Sequence, residues 1–166
     1  DALSLANITA LDIDAIFFTT VTGLATPTID ARLMNRLPFR ADVKRTPLFG
    51  LGCVGGAAGI ARMHDYLRAY PDHAALLISV ELCSLTLQLS DASIPNLISS
   101  GLFGDGAAAV IGLGEKFSQR KKVHGLHIVA SESVFFPNTE RVMGWDIGAQ
   151  GFQVVLSAGV PQLARE

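Results

Sequence analysis

The sequence predicts a layered α/β fold with at least one parallel crossover. Three observations point there. Ala15-Ile16-Phe17-Phe18-Thr19-Thr20 and Ala74-Ala75-Leu76-Leu77-Ile78-Ser79-Val80 are β-prone runs, apolar almost throughout, as in strands covered on both faces. Between them lies a long stretch of helical periodicity. The order strand, helix, strand, helix, strand then suits helices packed on a mostly parallel sheet.

Taken in order, the chain starts within a helical segment and enters the first strand at Ala15. Thr28 to Leu37 suits a short helix, stopped by Pro38. Thr46 to Phe49 is a weak strand that runs into a glycine-dense turn. From Val54 to Tyr70, Ala57, Ile60, Ala61 and Leu67 keep an apolar stripe, with Arg62, Asp65 and Arg68 off it. Pro71-Asp72 breaks this helix, and Ala74 to Val80 forms the next buried strand, continuing toward Ser84. Ile94 to Leu102 suits a helix, Gly104-Asp105-Gly106 a tight turn, and Ala107–Leu113 and Val123–Ser131 two strands. A more polar stretch follows, then a last strand over Gly151–Ser157 and a helix beginning at Val160. No repeat, low-complexity tract or linker interrupts the chain.

At 166 residues, the length suits one domain with a sizeable core. Apolar residues make up 49% and charged residues only 17%, an excess best explained by burial against further chain or a partner subunit. No run approaches the ~18 apolar residues of a membrane helix. A net charge of -2 argues against nucleic-acid binding, and the one basic run, Arg120-Lys121-Lys122, reads as a solvated turn. Two cysteines and no basic-then-apolar leader fit a reduced, cytoplasmic protein. Asp1 stands where an initiator methionine would be, and both ends read as helical. The expectation is an internal segment of a longer protein.

Cys53 is the leading candidate for chemistry. It sits in Gly50-Leu51-Gly52-Cys53-Val54-Gly55-Gly56 at a helix start. Unpaired N–H groups and the helix dipole there favour thiolate, the nucleophilic form, and the glycines leave room for a substrate carbonyl. The competing reading is a small buried residue at a helix start. Gly50, Gly52 and Gly55 also match a dinucleotide fingerprint. Asp72, the acid nearest the required spacing, falls in a turn rather than at a strand end, so nicotinamide or flavin binding is disfavoured. Cys83 suits packing. His124 and His127, three apart on an expected strand, would face opposite sides, which disfavours a metal pair. His64 and His73 are not placed as bases for Cys53. Asp105 is expected to bond turn amides, with Gly104 and Gly106 at positive φ and Ala107–Ala109 packed closely. Phe103 suits the core or a cavity wall.

Gly52-Cys53-x-Gly55-Gly56, the 28-residue step from Cys53 to Glu81, and Leu102-Phe103-Gly104-Asp105-Gly106-Ala107-Ala108-Ala109 together resemble the type III polyketide synthases, the chalcone-synthase-like branch of the thiolase superfamily. Arg141 to Ile147 is more similar to bacterial than to plant members. The resemblance implies a thiolase-like αβαβα layered fold, of which residues 1–166 form a central, partial segment. It also implies a homodimer with subunits of about twice this length. No cofactor or metal is implied. Cys53 would be acylated by an acyl-CoA and extended by decarboxylation of malonyl-CoA, with backbone N–H groups at the helix start stabilising the oxyanion.

By position, the resemblance places Phe103 as one gatekeeper of the cavity and Val154 where a second phenylalanine stands in plant enzymes. Cys83 takes a cavity-lining position. Thr26 replaces the loop residue that enters the partner's cavity, and Thr22 belongs to the strand end before that loop and is counted with the substrate-binding residues. Smaller side chains at these positions suggest a long fatty acyl starter and an alkylpyrone or alkylresorcinol product. The family's catalytic His and Asn fall beyond Glu166, so the isolated segment is expected to be inactive. Two rivals remain: an initiating ketoacyl synthase, disfavoured by the absence of a basic docking patch, and a non-catalytic thiolase-fold dimerisation piece.

Overall fold

A computed structural model describes residues 2–165. The chain divides into two compact units, Asp1–Glu81 with Ala107–Glu132, and Leu82–Gly106 with Ser133–Glu166.

The first unit is an α/β/α sandwich. Its strands are β1 (Ile13–Thr20), β2 (Lys44–Phe49), β3 (Ala74–Glu81) and β4 (Gly106–Leu113), in the order β2-β1-β3-β4. β1 runs parallel to both neighbours, pairing Phe17 with Thr46 on one side and with Leu77 on the other. The parallel crossover expected from the element order is therefore present. Apolar runs become central strands because both faces are covered. Ile16, Phe18, Leu76 and Ile78 pack on one face with Phe117, Ile29 and Leu33; Ala15, Phe17, Ala75 and Leu77 pack on the other with Met63 and Leu67. Each such large side chain contributes roughly 1.5–3 kcal/mol by leaving water. β2 lies at the sheet edge, where Pro47 costs no ladder hydrogen bond.

The helices are α1 (Ala2–Leu5), α2 (Ile29–Met34), α3 (Gly55–Ala69) and α5 (Glu115–Lys121) in this unit, with α4 (Ile94–Leu102) and α6 (Val160–Leu163) in the second. α3 follows the predicted stripe, burying Met63 and Leu67. α2 stops at Met34, one turn short of the expectation, with Asn35 as its cap. α5 was not anticipated: Arg120 and Lys121 form its last turn rather than a loop, and Lys122 closes it in the left-handed region. Cations there complement the negative end of the helix dipole. Gly114, which precedes α5, donates its N–H to His73 O, and a Cβ at 114 would lie 2.3 Å from Pro71 O.

Val123–Ser131 is not a strand. It is irregular and exposed, with Leu126 at 104% and Val129 at 92% of full accessibility, because no strand pairs with it among the described residues. The tight turn at Gly104–Gly106 is also absent. Phe103 caps α4 in an extended conformation, β4 begins at Gly106, and the positive-φ glycines are 50, 52 and 151. Ala107–Ala109 are exposed rather than closely packed.

The second unit holds α4 and the hairpin β5 (Met143–Gly148) and β6 (Gly151–Leu156). β6 matches the last expected strand. β5 falls in the stretch read as polar and forms because a two-residue turn between Gly148 and Gly151 folds it onto β6. Gln88 Nε2 donates to Gln150 O and Phe152 O, pinning that turn. Among the described residues no helix is long and apolar enough to cross a membrane.

Candidate active site

In the first unit, the chain leaves the carboxyl end of β2 and passes Gly50 and Gly52 at φ +83° and +57°. Those left-handed conformations allow a short 3-10 turn, Gly52–Val54, immediately before α3. Cys53 lies in this turn and is exposed. It thus precedes the 15-residue helix rather than occupying its first position. Gly55, buried at the helix start, faces Thr19, whose hydroxyl is itself buried with no hydrogen-bond partner among the described residues. The carboxyl ends of β1 and β2 lie side by side, the usual location for ligands in open parallel sheets.

Thr22 is buried beyond the end of β1 and holds Glu81, the last residue of β3. Its N–H donates to one Glu81 oxygen at 3.1 Å and its hydroxyl bonds the same atom, while Val21 N–H donates to the other at 3.0 Å. Thr22 therefore spends its hydroxyl proton on a carboxylate. Thr26 is exposed in the loop between β1 and α2.

In the second unit, Cys83, Ser84, Asn96, Ser99, Phe103 and Trp145 are among the residues lining a cavity of about 190 Å³. Cys83 begins a 3-10 turn, Cys83–Thr86, and Phe103 ends α4. The Phe103 and Trp145 rings lie 5.9 Å apart, and Trp145 meets Phe152 edge-on at 5.8 Å. Val154 pairs with Trp145 across the hairpin. Several polar donors of the lining are turned to backbone: Thr86 to Cys83 O, Ser99 to Asn96 O, and Asn96 Nδ2 to Gln88 O and Asp91 O. Buried polar groups are thereby satisfied within the wall.

Asp105 does not bond its own turn. Its carboxylate reaches back to Ser84, accepting from the backbone N–H and from the hydroxyl, each at 2.7 Å. These bonds, the backbone one first, hold the Asp105 carboxyl below its ordinary pKa. Sequence reasoning missed both this link and the place of Trp145. The signal for Trp145 was its register opposite Val154, which needed the hairpin turn to be recognised. Among the described residues no three His, Cys, Asp or Glu side chains group closely enough to hold a metal ion. His124 and His127 lie in exposed irregular chain, and His73 Nδ1 is 2.7 Å from the Tyr66 hydroxyl.

Residues 6–115 match the family model for the N-terminal domain of chalcone and stilbene synthases. The chain belongs to that family. Its similarity to a 1,3,6,8-tetrahydroxynaphthalene synthase of Streptomyces peucetius is 53% identity over 164 residues, covering 99% of this chain and 43% of that protein. It is 49% identical to a putative chalcone synthase of Bacillus subtilis, over 93% of this chain and 43% of the relative. The crystal structure of 1,3,6,8-tetrahydroxynaphthalene synthase from Streptomyces coelicolor, a bacterial type III polyketide synthase, superposes with a TM-score of 0.90 at 36% identity, covering 98% of this chain and 45% of that one. The thiolase-like fold expected from the family resemblance is therefore present, as a partial segment. The chain spans less than half the length of these relatives.

Proposed function

We propose that the chain is the nucleophile-bearing segment of a type III polyketide synthase. The observation that carries this reading is the exposed Cys53 in a glycine-permitted turn, at the carboxyl ends of parallel strands and directly before α3. The Cys53 thiolate attacks the carbonyl of an acyl-CoA; a carbon–sulfur bond forms and CoA thiolate leaves. Malonyl-CoA then loses carbon dioxide, and the resulting carbanion attacks the Cys53 thioester, forming a carbon–carbon bond and expelling the cysteine. The first N–H groups of a helix lack intrahelical acceptors, so those of α3 are suited to the oxyanion of each tetrahedral intermediate. The base and the carbonyl-polarising donors, a His and an Asn in this family, are expected from residues beyond this chain. The working enzyme is a homodimer in this reading.

In this reading Cys83 and Phe103, which line the cavity of the second unit, bind substrate, as does Val154, which pairs with Trp145 across the hairpin; Thr22 and Thr26, in the first unit, are also counted with the substrate-binding residues. The small Val154 supports a long-chain acyl starter and an alkylpyrone or alkylresorcinol product. One observation favours a second reading. Trp145 adds aromatic bulk to the cavity wall, and the relative at 53% identity is named for a fused-ring phenol without an alkyl tail. A short starter cyclised to a hydroxylated aromatic ring fits both.

The test is intact-protein mass spectrometry of the full-length enzyme after brief exposure to a long-chain acyl-CoA or to malonyl-CoA, followed by product analysis. An acyl adduct that disappears in Cys53→Ala is expected. No adduct from either donor, or one that persists in Cys53→Ala, overturns the synthase reading and favours a dimerisation piece. Which donor loads decides between alkyl and aromatic products.

A further inference from the structure

We propose that Asn96 and Ser99 of α4 determine specificity by accepting hydrogen bonds from hydroxyl groups, so that the cavity prefers the enol or phenol form of a polyketide to its ketone. The proposal rests on reading this space as the substrate cavity. The hydroxyl and amide hydrogens of the lining side chains are already committed inside the protein. Thr86 donates to Cys83 O, Ser99 to Asn96 O, Ser100 to Leu97 O, and Ser84 to the Asp105 carboxylate. Both Nδ2 hydrogens of Asn96 go to carbonyls, Gln88 O at 2.9 Å and Asp91 O at 2.6 Å. Each of these side chains keeps oxygen lone pairs after donating. Against those oxygens, the lining side chains set an indole N–H, that of Trp145, and the Cys83 thiol, a weak donor by nature. What this wall offers a ligand is chiefly acceptance.

A serine or threonine hydroxyl can turn toward a ligand, at the cost of the bond it makes to a carbonyl. The Asn96 amide cannot. Reversing it would set Oδ1 against two carbonyl oxygens and strip both of their donor, in a side chain that is buried. Oδ1 is thus a fixed acceptor. Ser99, also buried, brings a second oxygen to the wall one turn further along α4. A ketone meets these oxygens with lone pairs of its own and forfeits its bonds to water, whereas an enol or phenol places a hydrogen on them. The Trp145 ring, 5.9 Å from that of Phe103, adds the flat apolar surface that a conjugated ring or enol lies on. The wall does not carry the proton from carbon to oxygen. It holds the form in which that shift has already occurred, and moves the tautomer balance by its difference in affinity for the two.

The experiment measures binding to the full-length enzyme by equilibrium dialysis at neutral pH. Resorcinol is the hydroxyl probe, and its dimethyl ether, which can only accept, is the counterpart. The wild-type enzyme should bind resorcinol about tenfold more tightly than the ether. Ser99→Ala, a change that favours the helix, should shrink that ratio about threefold, and Asn96→Ala about fivefold, as for the loss of one neutral hydrogen bond in each case. Comparing ratios removes the difference in size between the two probes. Because Asn96→Ala also leaves two carbonyls without a donor, its unfolding midpoint is measured alongside; where that falls, Ser99→Ala decides. A wild-type ratio of one or less overturns the proposal, and so does binding of neither probe. A preference that survives both substitutions overturns it too, since the hydroxyls are then read elsewhere. Acylation at Cys53 is followed separately. Its absence sinks the synthase reading while dialysis still decides the hydroxyl preference, and its presence without that preference sinks the acceptor wall alone.

Discussion

Single residues in this chain act through buried polar pairs as much as through apolar contact. Asp30 is 0% exposed, and Arg45 Nε donates to it at 2.6 Å, while Arg45 also reaches the Thr28 hydroxyl at 2.7 Å. Burial pushes the Asp30 carboxyl up, but the bonds from Arg45 and Thr28 together outweigh it and the group ends below its ordinary value. A lowered folded-state pKa contributes stability that is present above the unfolded value, about 3.9, and is lost as pH falls through the folded one. Urea unfolding as a function of pH should therefore show an acid-side loss that Asp30→Asn flattens. Arg45→Ala, which strands the buried carboxylate, should cost about 3 kcal/mol at neutral pH. At this scale the sequence was partly legible. Cys53 announced itself through its glycines, whereas Asp30–Arg45 and Ser84–Asp105 join residues 15 and 21 positions apart that nothing in local periodicity connects.

Elements were most legible where burial on both faces leaves an uninterrupted apolar run, as in β1 and β3, or where a stripe repeats for several turns, as in α3. They were least legible where pairing itself creates the element. β5 has no apolar run and exists through its ladder with β6. Val123–Ser131 has strand-like composition and stays irregular for want of a partner among the described residues. α5 was hidden by its charges, since only Phe117 of its residues is buried. The junction ahead of α5 is a place where the backbone tolerates no side chain. Gly114→Ala would drive a Cβ into the Pro71 carbonyl, and neither group is a flexible side-chain end that could swing away. The expected cost is about 3 kcal/mol, read as a lower midpoint in thermal or urea unfolding.

For the whole molecule, the apolar excess of the composition has a visible counterpart. Leu126, Val129 and Phe135 lie exposed after α5, and Ile94 and Leu97 lie exposed on α4. Together with the share of its relatives that the chain spans, this supports a protein whose chemistry needs more polypeptide. Under the synthase function proposed above, the 166-residue chain alone should yield no condensation product from acyl-CoA and malonyl-CoA, whereas the longer protein should. Product formation by the isolated chain, measured by mass spectrometry, would show that no residue beyond it is required. The exposed segment makes a second expectation. Replacing Leu126 and Val129 by polar residues should reduce self-association of the isolated chain in analytical ultracentrifugation, since large exposed apolar patches drive association.

Trp145 is the chain's single tryptophan, and it stands in the cavity wall between Phe103 and Phe152. Excitation at the red edge of protein absorbance therefore addresses one place in the molecule. The intrinsic emission of this protein is a report on whether that cavity is wet, dry or filled, and ligand entry can be followed in real time without attaching a dye.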